Sequence, residues 1–498
     1  MARLVLQLLV ALVLCRLAVG KPPKALLGKG GAAAGSSAEA STKQPRALAG
    51  GGGGGGACEY GADVDGDCFG SAAFRQKWFL LDPTYRSFNH GSYGTVPRPV
   101  AAVQQSYYLE CEAAPDKWLR TNYFPKIEDA RKAIATKVVN SDPNSIVLVE
   151  NASAAVNSIL RSVTLKKGDK VLRLSTAYGM VINTLKFLQD TVGIEVVVVG
   201  VEFPVTSPRQ ILDAVKAALD ANPGVVLSIF SHISSVPAVV EPVEELQAMA
   251  RSVGSLVLID GAHAPGAIPI DLTKLAPDFY LGNAHKWLFS PKGTAFLYVS
   301  PALVTAHSPE PSVINLDPTQ PAIADRFKYT GTKDYTGQVS IPAGISFFED
   351  SLGGMSKVMA ANHQLAIDAG NLLCQRWKTT WLVPPSMTGA MANIVLPWTD
   401  PAAVSYVASA LLSEYNSMVV FASVLPTQGA SSSAAIQFIR LSAQVYVSMD
   451  DVRWLADTVP VLFEQYAAVV AAAAAAAEGS EINVPVPASA SAAAAAIP

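Results

Sequence analysis

The fold of this chain is decided by two apolar runs and their polar ends within residues 256–287, which read LVLIDGAHAPGAIPIDLTKLAPDFYLGNAHKW. The first run, 256–259, ends in DGAH (260–263), and the second, 279–281, ends in GNAHKW (282–287). Neither run alternates apolar and polar residues, which is typical of strands buried on both faces of a parallel sheet. Ligands of such sheets bind beyond the carboxyl ends of the strands. Asp260 and Lys286 therefore stand where functional side chains are expected.

The sequence on both sides of these runs alternates between helical and strand-like patterns. Apolar residues recur three and four positions apart in the stretches 97–112, 125–139, 153–163, 178–191, 208–221, 239–252 and 355–378. Further apolar runs lie between them, at 145–149, 170–174, 195–199, 225–229 and 295–299. Strands that alternate with helices form a mostly parallel sheet covered on both faces. The sequence therefore predicts an α/β fold.

The composition is that of a globular protein and excludes several classes of function. Of the 498 residues, 50% are hydrophobic and 15% are charged, and the net charge is −3. So small a charge favours neither nucleic acid nor an anionic membrane as the main partner. The five cysteines and six histidines show no C-x-x-C or H-x-x-x-H spacing. No metal site is therefore expected.

Three strand ends together point to pyridoxal phosphate (PLP) as a cofactor. PLP needs a lysine to bind its aldehyde, a carboxylate to keep its ring nitrogen protonated, and donors for its phosphate. Lys286 and Asp260 supply the first two, and the helix that opens at Ala152 and Ser153 offers free N–H groups for the third. One lysine or aspartate at a strand end is usually a surface ion pair or a cap. All three in this order on one sheet are hard to explain in that way.

These residues lie in motifs through which the chain resembles the class V aminotransferase family of fold-type I PLP enzymes. The matching stretches are 88–94 (FNHGSYG), 151–157 (NASAAVN), 260–266 (DGAHAPG), 282–287 (GNAHKW) and 329–334 (YTGTKD). The resemblance covers about residues 75–465 and is strongest to the branch of isopenicillin N epimerases, hercynylcysteine sulfoxide lyases and plant cysteine desulfhydrases. It implies an N-terminal arm (74–114), a large PLP-binding domain (115–330) and a small α+β domain (331–468).

The resemblance assigns a role to individual residues around the cofactor. Lys286 would carry PLP as a Schiff base, and Asp260 would pair with the ring nitrogen. The residues that would hold the phosphate are Ala152, Ser153, His285 and, from the second subunit of a homodimer, Thr332. The residues that would contact the ring or its phenolic oxygen are Tyr178, Ser234 and His263. Ser153 departs slightly from the family, in which threonine is common, but keeps the hydroxyl.

A second group of residues is expected to meet a small amino-acid substrate. Arg440, in the run 438–442, matches the carboxylate-binding arginine of the family, and its fork suits bidentate recognition. Asn89, His90 and Ser92 lie in a glycine-flanked loop that folds over the substrate in the family. On composition alone that loop is an ordinary turn.

The reaction expected from the resemblance is carbon–sulfur bond cleavage by β-elimination, because residues 110–123 read like the sulfoxide-lyase members. An epimerase and an aminotransferase are the alternatives. A PLP-binding interaction protein without catalysis is a third, but it would not need Lys286, Asp260 and Arg440 together. Cysteine desulfurases of this superfamily accept sulfur on a mobile cysteine shortly before the substrate arginine. Residues 401–440 contain no cysteine, so a desulfurase is disfavoured. Cys374 is expected to be a buried structural thiol.

The two ends of the chain differ from its middle. Residues 1–20 resemble a signal segment and residues 21–73 a low-complexity linker, which predicts the secretory pathway or an extracellular location, with a plastid as the alternative. Cys58 and Cys68 are bridged in an oxidising lumen or free in a flexible leader. The Ala-rich residues 469–498 are predicted to be disordered beyond a short helix. No membrane contact is expected of the mature form.

Overall fold

A seven-stranded sheet occupies the middle of the chain in the computed structural model, which describes residues 58–304, 308–427, 431 and 435–478. The strands in chain order are β1 (Arg86–Ser87), β2 (Ile146–Val149), β3 (Lys170–Leu174), β4 (Glu195–Val199), β5 (Val225–Ser231), β6 (Leu256–Asp260), β7 (Phe279–Asn283), β8 (Ala295–Val299), β9 (Met391–Val395), β10 (Ser417–Met418), β11 (Val420–Val424) and β12 (Ile436–Ser442). All seven apolar runs of the sequence are strands of the large sheet, so the strand predictions are confirmed.

The order of strands in the large sheet is β2-β8-β7-β6-β5-β3-β4. All neighbours are parallel except β8, which runs antiparallel to β7 and β2. The prediction of a mostly parallel α/β sheet is therefore confirmed. Strands β6 and β7 are buried along nearly their whole length, as their continuous apolar runs require. Their carboxyl ends bring the segments after Asp260 and Asn283 to one edge of the sheet.

The helices that cover the sheet agree with the predicted stretches except at some ends. The longer ones are Arg98–Ala113, Tyr123–Ala133 with its π-helical continuation Ile134–Val138, Ala152–Ser162, Gly179–Thr191, Pro208–Ala221, Val243–Ser252, Ile341–Leu352, Met355–Trp377, Pro401–Ser413 and Met449–Glu478. Shorter ones are Ala72–Trp78, His90–Tyr93, Pro115–Lys117, Trp118–Asn122, Leu272–Leu275, Ile323–Phe327 and Thr336–Val339. The predicted start of one helix at residue 239 is wrong, because the helix begins at Val243, directly after Pro242.

A smaller antiparallel sheet has the order β11-β12-β9 and carries Arg440 on its central strand. The large sheet falls within residues 115–330 and the smaller one within 331–468, while the domain boundaries themselves stay a prediction. Strand β1, in the N-terminal arm, pairs in parallel with β10. The arm is thereby tied to the C-terminal part of its own chain.

The compact unit begins at Cys58 and ends at Tyr466. Cys58 and Cys68 form a disulfide, so the bridged alternative is the observed one. The predictions for residues 1–57 and 479–498 lie outside the described residues. Within the described part, the helix at Met449–Ala475 is long and apolar enough to cross a bilayer by length and composition alone, although Leu455 and Leu462 in its first half are buried in the core.

Candidate active site

Lys286 stands three residues beyond the end of β7, and its amine lies 3.0 Å from Nε2 of His263. Burial, helped by the positive charge of Arg440, lowers the pKa of Lys286 to about 7, while the charge of Asp260 opposes the shift. A large part of the Lys286 amine is therefore neutral near neutral pH, which is the form that acts as a nucleophile or a base. The lysine carbonyl accepts a hydrogen bond from Nε2 of His90 at 2.8 Å.

Asp260 ends β6 and is only 6% exposed. Its Oδ1 accepts a hydrogen bond from the Ala262 N–H at 2.9 Å. Burial raises the pKa of Asp260, and both the Ala262 N–H and the charge of Lys286 hold the shift back. A buried carboxylate with so few donors is costly unless a cation or a further donor joins it. A protonated ring nitrogen would meet that need.

The helix Ala152–Ser162 presents its N-terminus at the same edge of the sheet. Asn151 caps it by accepting the Ala154 N–H at 2.8 Å, and Oδ1 of Asn283 accepts the Ala152 N–H at 2.9 Å. The two amides leave the N–H and hydroxyl of Ser153 for an anion. His285 follows Asn283 closely in sequence, and its Nδ1–H donates to the Thr294 carbonyl at 2.9 Å, which leaves Nε2 for a ligand.

One orphaned polar atom and one exposed aromatic residue fit PLP. Nδ1 of His263 is buried and has no hydrogen-bond partner among the described residues, and His263 as a whole is 2% exposed. The ring of Tyr178 is 43% exposed, just before the helix Gly179–Thr191, and so has a face open for stacking. An aromatic cofactor with a phenolic oxygen would occupy both. Lys286, Asp260 and the Ser153 N–H match its aldehyde, ring nitrogen and phosphate.

Arg440 is 1% exposed and fixed by three oxygen atoms. Its Nη1 donates to the Ser235 carbonyl at 2.8 Å, and its Nη2 donates to Oδ1 of Asn89 at 2.6 Å and to Oγ of Ser92 at 3.0 Å. Nε has no partner among the described residues. The structure thus brings Asn89 and Ser92 to Arg440, while the carboxylate-binding role stays a prediction.

His90 differs from its two neighbours in the loop. Nδ1 of His90 lies 2.9 Å from the Tyr446 hydroxyl, and Nε2 bonds the Lys286 carbonyl. Burial lowers the pKa of His90 to about 3, so the ring is neutral. With both nitrogens engaged, His90 supports the Lys286 segment and does not present a free nitrogen to a substrate.

Two other expected residues also have their hydroxyl groups engaged. Ser234 donates to the Pro237 carbonyl at 2.8 Å and accepts from the Val239 N–H at 3.0 Å, so it stabilises its own loop. Thr332 is exposed, and its hydroxyl lies 2.7 Å from that of Tyr329. Its exposure leaves it available to another chain.

Three polar residues of the site were missed by the sequence interpretation. Asn283 lies in the 282–287 motif, and its position at the end of β7 is the signal that could have identified it. Asn393 pairs through its side chain with both backbone groups of Ala238. Glu241 is a buried acid whose Oε2 accepts the N–H of Ser231, the last residue of β5. No local pattern marks Asn393, because its partner Ala238 lies 155 positions away in the sequence.

The fold and this grouping of residues define a PLP-dependent enzyme of fold type I. The chain belongs to the class-V aminotransferase family, whose model, described as "Aminotransferase class-V", matches residues 92–455. The predicted family, fold and cofactor are thereby confirmed.

Named relatives lie in the expected branch. The chain is 30% identical over 332 residues to "Probable L-cysteine desulfhydrase, chloroplastic" of Arabidopsis thaliana, covering 64% of this chain and 69% of that protein. It is 26% identical over 396 residues to hercynylcysteine sulfoxide lyase of Schizosaccharomyces pombe, covering 77% and 96%. A solved structure of the cystine C–S lyase C-DES with cysteine persulfide has a TM-score of 0.61 at 19% identity, covering 76% of this chain and 97% of that one. This last likeness concerns the fold.

Proposed function

We propose that the chain is a carbon–sulfur lyase that acts by β-elimination on a cysteine-derived amino acid or its sulfoxide. The observation that carries this proposal is the Lys286 amine, which is hydrogen-bonded to His263 and whose pKa burial lowers to about 7. The names of the Arabidopsis and Schizosaccharomyces relatives support the substrate class. Cys374 is half-buried on the helix Met355–Trp377, and burial raises its pKa to about 11, which does not suit a sulfur-accepting thiolate.

The residues proposed to hold the cofactor follow from the contacts of the site. Lys286 would bind its aldehyde, Asp260 would hold the proton of its ring nitrogen, and His263 would donate to its phenolic oxygen. Ser153, with Ala152 beside it, would meet the phosphate at the helix N-terminus. His285 would bind the phosphate through Nε2, and the negative charge of the phosphate would favour the protonated imidazole of His285.

When bound, PLP withdraws electrons from the α-carbon of the amino acid that it holds and makes the α-proton acidic. Arg440 binds the substrate carboxylate and fixes the orientation of the α-carbon. Once the substrate amine has displaced it from the cofactor aldehyde, the Lys286 amine, neutral in large part at pH 7, would remove the α-proton as general base. The carbon–sulfur bond then breaks, and its electron pair leaves with the sulfur. With one water consumed, the products are pyruvate, ammonia and the sulfur fragment.

We also infer a homodimer with composite sites, as the exposure of Thr332 supports. The loop that carries it is anchored to its own chain, because the Lys333 ammonium pairs with the Glu150 carboxylate and donates to the Thr330 hydroxyl. Glu150 directly precedes Asn151, which caps the phosphate-facing helix. The anchor would hold Thr332 outward in a fixed position, ready to reach the phosphate of a second subunit.

For the compartment, we propose entry into the secretory pathway, with a plastid as the alternative. The Cys58–Cys68 disulfide supports an oxidising lumen. The chloroplastic name of the Arabidopsis relative supports the plastid. A fluorescent protein fused after residue 57 would decide between them by its location.

The reaction is tested by incubating the purified enzyme with L-cysteine and with a cysteine S-conjugate sulfoxide. Pyruvate, ammonia and the sulfur fragment should form in equal amounts. A sulfenate leaves more easily than a thiolate, so the sulfoxide should turn over faster than cysteine. If the α-proton exchanges with solvent but no sulfur-bearing amino acid yields pyruvate, the lyase proposal is wrong and the enzyme is an epimerase.

A further inference from the structure

Glu241 is a buried carboxyl group for which the proposed mechanism has no use. It is 3% exposed and lies between β5 and the helix Val243–Ser252. Its backbone is fixed on both sides: its N–H donates to the His232 carbonyl at 3.1 Å, and its carbonyl accepts from the Val243 N–H at 2.8 Å. The side chain reaches the carboxyl ends of two strands of the large sheet.

The carboxyl group of Glu241 joins two segments that lead to the cofactor site. Oε2 accepts the N–H of Ser231 at 2.9 Å, and Oε1 lies 3.1 Å from the hydroxyl of Thr176. Ser231 is the register partner of Asp260 on the next strand. Thr176 stands two residues before Tyr178, in the turn that follows β3. Glu241 thus connects the turn that carries Tyr178 to the strand beside Asp260.

Burial is the main reason that Glu241 favours its neutral form, and a neighbouring charge adds to it. Asp260 is the acid whose charge acts on it, and two buried carboxylates near each other do not both ionise readily. Burial, with a smaller contribution from this charge, raises the pKa of Glu241 to about 8, while the hydrogen bonds from Ser231 and Thr176 oppose the shift. The nearby His232 and Tyr280 bond to each other at 2.9 Å and stay neutral, since burial lowers the pKa of His232 to about 4 and raises that of Tyr280.

A neutral carboxylic acid satisfies both contacts of the side chain without a counter-ion. The carbonyl oxygen Oε2 accepts from the Ser231 N–H, and an Oε1–H donates to the Thr176 hydroxyl oxygen. Glutamine has the same shape and the same pattern of one acceptor and one donor. Leucine has neither polar atom and leaves the Ser231 N–H without its partner.

We propose that Glu241 is a positioning residue for the cofactor ring: its carboxyl group fixes the Tyr178 turn against the strand beside Asp260. Tyr178, which would stack on the ring, and Asp260, which would pair with the ring nitrogen, are then held in a fixed position relative to each other. The inference rests on the roles proposed for Tyr178 and Asp260, and it adds a third residue that touches neither substrate nor PLP.

The first test measures the affinity of the full-length, cofactor-free protein for PLP at pH 7 by visible absorbance. Glu241→Leu and Thr176→Val should each weaken PLP binding about tenfold or more, and Glu241→Gln should restore the affinity that leucine loses. The double variant of Glu241→Leu and Thr176→Val should bind PLP no more weakly than Glu241→Leu alone, because both changes remove the same contact between residues 241 and 176. In a Tyr178→Ala background, Glu241→Leu should add little. Full affinity in Thr176→Val, or equal losses with leucine and glutamine, would overturn the proposal.

The second test concerns the charge of Glu241 and needs no cofactor. A carboxyl group with a folded-state pKa of about 8 binds its proton in the folded chain but loses it in the unfolded chain between about pH 4.5 and 8. The wild type therefore loses stability as the pH rises through this window, and Glu241→Gln does not. The difference in melting temperature should grow from pH 5 to 8 in favour of glutamine and then level off. A constant difference would show that Glu241 is charged.

The two tests separate this inference from the function on which it rests. A wild-type chain that binds no PLP would refute the proposed function. A wild type that binds PLP, with variants that bind equally well, would refute only the role of Glu241. If Glu241→Leu does not fold, Thr176→Val and the pH dependence of Glu241→Gln decide the question.

Discussion

Replacing Arg440 by glutamine should separate carboxylate recognition from every other task of the site. The guanidinium is 1% exposed, so a substrate carboxylate that pairs with it is also removed from water. Losing one partner of such a pair costs about 2–5 kcal/mol. Nε is the guanidinium nitrogen without a partner, whereas both protons of Nη2 are used by Asn89 and Ser92. A second bond to the carboxylate therefore displaces one of these residues. The loss should lie near the lower limit, at about 2–3 kcal/mol, or about 30- to 150-fold in affinity.

The assay compares L-alanine with ethylamine, which lacks only the carboxylate; neither has a leaving group. Binding of both amines to the PLP-loaded enzyme is followed by visible absorbance. Arg440→Gln also removes a charge that lowers the pKa of Lys286, but this change affects the two amines alike and cancels in their ratio. Arg440→Lys keeps the charge without the fork and should recover part of the loss. Equal weakening of alanine and ethylamine would refute the reasoning, because the arginine would then act through the cofactor or the fold.

Further predictions concern the lysine, the subunit contact and the loop. Borohydride reduction and peptide mapping should place PLP on Lys286 alone; label on another lysine would overturn the site. Covalent PLP binding should speed up with rising pH around the Lys286 pKa of about 7, and an inflection above pH 9 would contradict a buried amine. Mixing inactive Lys286→Ala and Thr332→Ala chains should restore activity in heterodimers; none despite subunit exchange would favour self-contained sites. Gly94→Ala should destabilise the protein by about 1–3 kcal/mol more than Gly168→Ala, as measured by urea unfolding. Both glycines have a positive φ, but of the two only Gly94 would place a Cβ against another atom, the backbone oxygen of His285 at 1.9 Å. Equal losses of stability would mean that the loop can move.

The large sheet and its central residues could be predicted because their signals are local. A strand buried on both faces is a continuous apolar run, and β2, β6, β7 and β8 have that form. The edge strand β4 is more exposed, but its run of valines is also a local signal. The chemistry of Lys286 and Asp260 then followed from their place at the ends of neighbouring strands. Position along the chain and position on the sheet edge are linked directly in a parallel sheet, so little further information was needed.

The contacts that orient the site are long-range, and no local pattern encodes them. His90 reaches the carbonyl of a residue 196 positions away, and Asn89 reaches Arg440 across 351 positions. The family resemblance indicated that the 89–92 loop meets the substrate, but it assigned one role to all three polar residues. The structure separates them: Asn89 and Ser92 bond the arginine, while His90 supports the lysine segment. Only the packing of the loop against β12 and the Lys286 segment makes that distinction.

Glu241 was not predicted as a residue of the site, because the effect of a proline on the residue before it was not considered. The apolar spacing of 239–252 suggested a helix that includes Glu241, and an acid there would be an ordinary first-turn residue. Pro242 should have excluded this, because a proline keeps the preceding residue out of the helical conformation. With the helix starting at Val243, Glu241 becomes part of a connection at the carboxyl end of a buried strand. An acid in that position, between apolar neighbours and without a nearby basic residue in sequence, has to find hydrogen bonds inside the protein or stay protonated. The sequence could therefore have predicted a buried acid at this edge of the sheet, though not its contact with Thr176.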